Sequence, residues 1–327
     1  MRDRHSPPSR RAFLGMTAAA AVALPRLAGA ESRALDRIGG RAFGTLWRIT
    51  GPAGTDLHRL TPKVARLLAE VDRQMSPWRP DSEISRVNAG AAGGHGVSAD
   101  TAQVTRAALG LAGASGGCFD PTVGPLVARW GFGPITGGAT GWGELSVEDT
   151  RIVKARADLT LDLCGIAKGW ALDRVIKLAV AQGHKDLLID IGGELAGIGT
   201  HPSGRPWQVA VENPLAGHTD AAAFLALSDS AVATSGTRAQ SYGVGGPDYG
   251  HIIDPVTGAP ARGALRSVSV VAGDAMTADG WATALFAAGL EGGPELARRN
   301  AISALFLFET EGVLRRDVTG AMAGVLL

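Results

Sequence analysis

Apolar residues recur along this chain with two periods, and each period marks a different kind of element. Val64, Leu67, Leu68 and Val71 follow Thr61-Pro62 at spacings of three and four. That is the stripe of a helix with one buried face, its proline placed in the first turn. An Ala-rich helix is predicted over 101–115, ended by the turn Gly116-Gly117. Another helix follows Gly165, and one more runs from about Thr277 to Ala288. Shorter apolar runs read as strands at 41–50 (RAFGTLWRIT), 151–163, 187–191, 207–212, 224–227 and 266–272, with a terminal hairpin from Ala304–Phe308 onward. Residues 75–90 (MSPWRPDSEISRVNAG) read as a loop giving way to a short helix capped by Asp81 or Ser82. Residues 131–143 form a Gly-rich loop. Strands and helices mix without regular alternation, which favours α+β over a doubly wound sheet. Phe119-Asp120-Pro121-Thr122-Val123-Gly124 echoes Ile253-Asp254-Pro255-Val256-Thr257-Gly258. The echo hints at an internal duplication, although two short turns also coincide by chance.

The first thirty residues break this pattern. Ser9-Arg10-Arg11-Ala12-Phe13-Leu14 is a twin-arginine pattern, followed by a short apolar run from Met16 to Leu24 and the small-x-small site Ala28-Gly29-Ala30. Residues 1–30 therefore read as a signal peptide for twin-arginine export, cleaved after Ala30 to leave a periplasmic chain of residues 31–327. A buried N-terminal helix would not explain the paired arginines and the Ala-x-Ala together. The apolar run falls short of the ~20 residues a membrane span needs, so no direct membrane anchor is expected. Removing Arg2, Arg4, Arg10, Arg11, Arg26 and Asp3 leaves 27 basic and 30 acidic residues, net −3. That balance gives no reason to expect a nucleic-acid partner. The remaining length buries a large core, as one large domain or two intimately packed lobes. Cys118 and Cys164 are the only cysteines, and whether they pair is not legible from spacing. Seven scattered histidines lack His-x-x-x-His spacing, which argues against zinc.

Two places could carry chemistry. In Ala278-Asp279-Gly280-Trp281-Ala282-Thr283 the carboxylate and the hydroxyl stand four apart, on one helix face. This hard-oxygen pair suits Mg²⁺, which keeps water and phosphate as its other ligands. An Asp satisfying the helix start and a Thr bonded back to its own turn explain the same spacing. Lys168 is the second place. It falls in the first turn of the helix after Gly165, where the peptide dipoles already make the end positive. A lysine there asks for an anion: a phosphate held by helix N–H groups and the ammonium, with Asp162 just before it. A solvated lysine is the plain alternative. Gly192-Gly193-Glu194-Leu195-Ala196-Gly197 lacks dinucleotide-fold glycine spacing and reads instead as close backbone approach. Thr234-Ser235-Gly236-Thr237 lacks the leading Gly-x of a nucleophile elbow, so a serine hydrolase is disfavoured.

The order of motifs resembles the ApbE family of flavin transferases. The stretches are FGTLW (43–47), MSPWRPDSEISRVN (75–88), GCFDPTVGPL (117–126), LDLCGIAKGWALD (161–173), DIGGE (190–194), ATSGT (233–237), HIIDPVTG (251–258) and ADGWATAL (278–285). The resemblance implies an ApbE-like α+β fold, a single large globular domain with a mixed sheet and packed helices. It implies Mg²⁺-dependent transfer of FMN from FAD, as substrate, to a Thr or Ser hydroxyl, with AMP released. The acceptor would be a flavoprotein domain of a membrane redox complex. Asp279, Thr283 and the Gly165 carbonyl look like the metal ligands. Phe43, Trp78, Cys118, Phe119, Asp120, Asp162, Lys168 and Ile253 look like FAD contacts. His251, Lys168 and Asp279 look like the catalytic group, His251 as base unless it is a structural histidine. Phe43 stands where the family leads one to expect Met, and Trp78 where it leads one to expect Tyr or Asn. Cys118 and Cys164 replace small or hydroxylic residues, which suggests redox sensitivity near FAD. Two rivals stay open: hydrolysis of FAD to FMN and AMP, and a non-enzymatic FAD-binding factor maturing a redox complex such as nitrous-oxide reductase. The chain has no Asp-x-x-Ser/Thr-Gly-Ala-Thr motif, so it is not expected to carry covalent FMN.

Overall fold

The computed structural model describes residues 35–238, 241–243 and 248–327. The proposed signal segment lies outside the described residues. The core is an eight-stranded sheet of β1 (Leu35–Ala42), β2 (Thr45–Pro52), β3 (Leu187–Ile191), β4 (Glu194–Ile198), β5 (Ser230–Gly236), β6 (Leu265–Ala272), β7 (Ser303–Thr310) and β8 (Val313–Thr319). Spatial order follows chain order from β1 to β8, and every neighbouring pair is antiparallel. The mixed sheet expected from the sequence is thus an antiparallel meander.

Three of its junctions are two-residue turns. Phe43-Gly44, Gly192-Gly193 and Glu311-Gly312 all have positive φ at both positions. Paired positive φ values suit the twist of an antiparallel hairpin, and glycine at the second place relieves the strain. Phe43, at φ 51°, is the costly member, since an aromatic residue rarely adopts the left-handed region. This turn splits the strand predicted at 41–50.

Two of the other junctions carry the helices. Residues 53–186 leave the sheet between β2 and β3 and supply α1 (Thr61–Met75), α2 (Glu83–Ala89), α3 (Ala99–Ala114), α4 (Gly124–Arg129) and α5 (Ala167–Ala181). Between β6 and β7 lie α6 (Ala275–Ala287) and α7 (Gly289–Arg299). Val64, Leu68 and Val71 are buried on α1, as their spacing requires. Ser82, rather than Asp81, caps α2, accepting from the Ser85 N–H at 3.0 Å. Of the strand predicted at 151–163, Arg151–Lys154 pairs in a small sheet with 93–96 and 145–148, and Leu159 adds an isolated bridge to Ala139.

Both faces of the main sheet are covered. Ala304 and Phe306 join the large core under the helices, while Leu305 and Leu307 join a second core under a hairpin of 207–212 and 221–227. Alternate side chains meet two apolar layers, so β7 reads as an unbroken apolar run. The two Asp-Pro turns share one chemistry in different settings. The Asp120 carboxylate accepts from the Thr122 N–H and hydroxyl ahead of α4. Asp254 accepts from the Val256 N–H and Thr257 hydroxyl inside a short hairpin. The echo is accounted for by this turn chemistry, without appeal to a duplicated unit.

Candidate functional site

Two helix starts meet beneath the sheet. A Cβ on Gly169 would lie 2.2 Å from the Ala275 carbonyl oxygen, so only glycine lets α5 and α6 approach this closely. Each helix start is then satisfied by a carboxylate of the other. Asp173 of α5 accepts from the Ala275 and Met276 N–H groups at 2.8 and 2.9 Å, alongside the local cap Asp274. Asp279 of α6 accepts from the Gly169 N–H at 2.9 Å through Oδ2, and α5 has no side-chain cap of its own. Asp279 is 5% exposed.

The anion that Lys168 asks for is, in the first instance, part of the protein. The Gly192-Gly193 turn makes Glu194 the first residue of β4, and its Oε1 accepts from Lys168 Nζ at 2.5 Å. Glu194 is 3% exposed, and among the described residues its Oε2 has no hydrogen-bond partner. Burial by itself would push the Lys168 ammonium down, but Glu194 and Asp279 outweigh it and hold the ammonium above the usual lysine value. Burial pushes the Glu194 carboxyl up to about 7 against the pull of Lys168. Asp279 is raised as well, by burial, with Lys168 and the Gly169 N–H opposing.

One turn beyond Asp279, Thr283 Oγ1 lies 3.4 Å from the Gly165 carbonyl oxygen and 3.4 Å from Ser235 Oγ. Octahedral Mg²⁺ with ligands at ~2.1 Å has an edge of about 3 Å, close to these separations. Asp279 Oδ1 has no donor among the described residues, and every candidate donor is a hard oxygen. Asp279, Thr283 and Gly165 therefore suit Mg²⁺. No cluster of three His, Cys, Asp or Glu side chains suits a metal among the described residues.

The remaining candidates sit on other elements, and only some of them are joined to this cluster. The tip of the β1–β2 hairpin carries Phe43 and lies beside the turn that carries Glu194, since the Gly192 N–H donates to the Leu46 carbonyl at 3.0 Å. Asp162 Oδ1 accepts from the Cys164 N–H, and its own N–H donates to the Pro121 carbonyl. Thr122 joins Asp120 to the Gly-rich loop by accepting from the Gly141 N–H at 2.8 Å. Burial raises the Asp120 carboxyl above its usual range. Phe119 and Ile253 are each 4% exposed, so their side chains support the site from the core. Phe119 packs under Gly165. Trp78 is 57% exposed, as a stacking surface would be. His251 is half-buried, edge-on to Phe132 at 6.3 Å between ring centroids. Its hairpin is tied to α4 through the Gly258 carbonyl, which accepts from Arg129 and Trp130. Both cysteines are free thiols. A cleft of about 550 Å³ lined by Arg59, Lys63, His184 and Lys185 shares no residue with the cluster. Its side chains are largely solvated, so buried, capped charge rather than cavity size marks the site.

The family model described as the ApbE family matches residues 43–306. The chain belongs to the ApbE family. It is 37% identical over 271 residues to the FAD:protein FMN transferase of Vibrio cholerae, covering 78% of this chain and 81% of that protein. Its fold is similar to that of the flavin transferase ApbE from Vibrio cholerae, with TM-score 0.79, 34% identity, and 89% and 99% of the two chains covered. The apo flavinyl transferase ApbE of Pseudomonas stutzeri is similar too, with TM-score 0.79, 31% identity, and 89% and 96% covered.

Two residues of this cluster carry no site role in the sequence reading. Glu194 stood inside a quoted motif without a role, and Ser235 was weighed only as a nucleophile. Ser235 is the penultimate residue of β5, and among the described residues its hydroxyl is hydrogen-bonded to Thr283. Gly-Gly followed by a lone carboxylate in an apolar run was the available signal for Glu194: a two-residue turn with a charge at the strand start.

Proposed function

We propose that this protein is an FAD:protein FMN transferase, moving FMN from FAD to a Thr or Ser hydroxyl of an acceptor flavoprotein domain in a membrane redox complex. The observation that carries the reading is the meeting of Lys168 with Asp279, Thr283 and the Gly165 carbonyl at one helix start. A cation and hard oxygens gathered at a helix start are what a pyrophosphate requires. Mg²⁺ held by Asp279, Thr283 and Gly165 would supply neutralisation of the pyrophosphate oxygens. Lys168 binds the same oxygens and spreads the charge that develops on them. Asp120, Asp162 and the Phe43 and Trp78 surfaces orient the rest of FAD. The acceptor oxygen bonds to the FMN-side phosphorus as the bond to the AMP-side bridging oxygen breaks. His251 takes the hydroxyl proton, and AMP leaves.

Mass spectrometry of an FMN-binding acceptor domain incubated with FAD, Mg²⁺ and the protein tests this. The expected product is the acceptor heavier by one FMN minus water, with AMP formed in equal amount. Lys168→Ala should slow transfer about 10²–10³-fold and His251→Ala about 10²-fold or more. Free FMN with an unmodified acceptor would replace the reading by FAD hydrolysis, and unchanged FAD by passive binding.

The twin-arginine pattern, read with an extracytoplasmic acceptor, supports periplasmic action after cleavage at Ala30. Among the described residues no helix is long and apolar enough to cross a membrane. Changing Arg10 and Arg11 to lysine should leave precursor in the cytoplasm, seen by fractionation. Undiminished mature protein in the periplasm would reject this route.

A further inference from the structure

Lys168 has two buried carboxylates within its electrostatic reach and is hydrogen-bonded to one. Its Nζ donates to Glu194 Oε1, the one acceptor it has among the described residues, while Asp279 exerts the next strongest attraction on it. The two acids are fixed from different elements. Glu194 is set by the antiparallel pairing of Ile191 with Glu194 across a two-residue turn. Asp279 is set by its bond to the Gly169 N–H. Glu194 is too buried to exchange the lysine for water, and its Oε2 has no partner among the described residues. The Lys168 side chain is 36% exposed, so an ammonium that loses Glu194 chooses between water and the other buried carboxylate, and lysine's four-carbon stem lets it move. That other carboxylate is Asp279, which already attracts the ammonium.

We infer that Glu194 is a spacer: it holds the Lys168 ammonium off Asp279, so that Asp279 keeps Oδ1 open to a divalent cation while Lys168 keeps its remaining N–H groups for substrate phosphate. Without the spacer, Lys168 pairs with Asp279 and sets a unit positive charge where the cation must sit. Glu194 is a positioning residue, acting through Lys168. The inference rests on Asp279 being a metal ligand.

A double-mutant cycle read by metal affinity tests it on the mature chain without FAD. Mn²⁺ is the probe, and the electron paramagnetic resonance signal of the free ion is the measurement. Wild-type protein should bind one Mn²⁺ that Asp279→Ala abolishes. Glu194→Gln, of unchanged shape, should weaken binding by about tenfold or more. Lys168→Met should strengthen binding in both backgrounds, and about tenfold more in Glu194→Gln than in wild type, because only there does the lysine occupy Asp279. An equal effect of Lys168→Met in the two backgrounds means that the charges act independently, and overturns the spacer. So does wild-type affinity in Glu194→Gln. Mn²⁺ binding that survives Asp279→Ala overturns the metal reading and the spacer with it, a result distinct from the first two.

Discussion

Asp279→Ala is expected to lower kcat/KM for FMN transfer by about 10³-fold, roughly 4 kcal/mol of transition-state stabilisation, and to raise the Mg²⁺ needed for half-maximal rate. The reason lies in what remains. Without Asp279 the donors are the Thr283 hydroxyl and the Gly165 carbonyl, both neutral. The side chain also accepts from the Gly169 N–H, so its loss uncaps α5 at a cost of about 1 kcal/mol. Asp279→Asn separates the two effects, since the amide oxygen still caps the helix but brings no charge. If Asp279→Asn transfers FMN at the wild-type rate at limiting Mg²⁺, the carboxylate is a cap and nothing more. Initial rates across a Mg²⁺ titration decide the matter.

Lys154→Met is expected to cost about 3–4 kcal/mol in stability, a fall of about 8 °C or more in Tm. Lys154 is 1% exposed and ends a short strand of the small sheet. Its ammonium donates to the carbonyls of Val87, Gly90 and Asn88 at 3.1, 3.0 and 3.4 Å, the negative end of α2. Burial lowers its pKa from the usual lysine value, but these three oxygens solvate it. Methionine fills similar space and takes the ammonium from all three carbonyls, of which Val87 keeps the Gly90 N–H as a donor. The damage travels toward the site. Asn88, in the same turn, accepts from the Leu161 N–H at 2.7 Å and donates to the Leu161 carbonyl at 2.9 Å. That grip fixes the segment leading into Asp162 and Gly165. Thermal unfolding measures the first effect; a Tm within 2 °C of wild type, about half a kcal/mol at this size, would show that water replaces the lysine.

Much of the site was legible because some of its geometry is local. Asp279 and Thr283 share a face since any helix brings residues four apart together. Lys168 stood out because a cation in a first helical turn opposes the dipole there. Elsewhere local reasoning misled. Residues 41–50 carry no break in apolar content, yet Phe43 adopts a left-handed φ and turns the chain. The strand Ser230–Gly236, read only as a motif, is built of small residues buried between two layers, so alternation never marked it.

By itself, then, the sequence determined the helix faces, most of the strand positions, the turn chemistry at the two Asp-Pro sites and the oxygen pair on α6. These follow from dihedral preferences and periodicities that act over a few residues. Tertiary structure alone decided that a 134-residue excursion (53–186) returns β3 to pair with β2, and that α5 and α6 cap each other across more than one hundred residues. It also decided that the counter-charge of Lys168 comes from Glu194, twenty-six residues on. Such pairings carry no local signature, because a buried charge accepts whichever partner packing delivers to it, and packing is a property of the whole core.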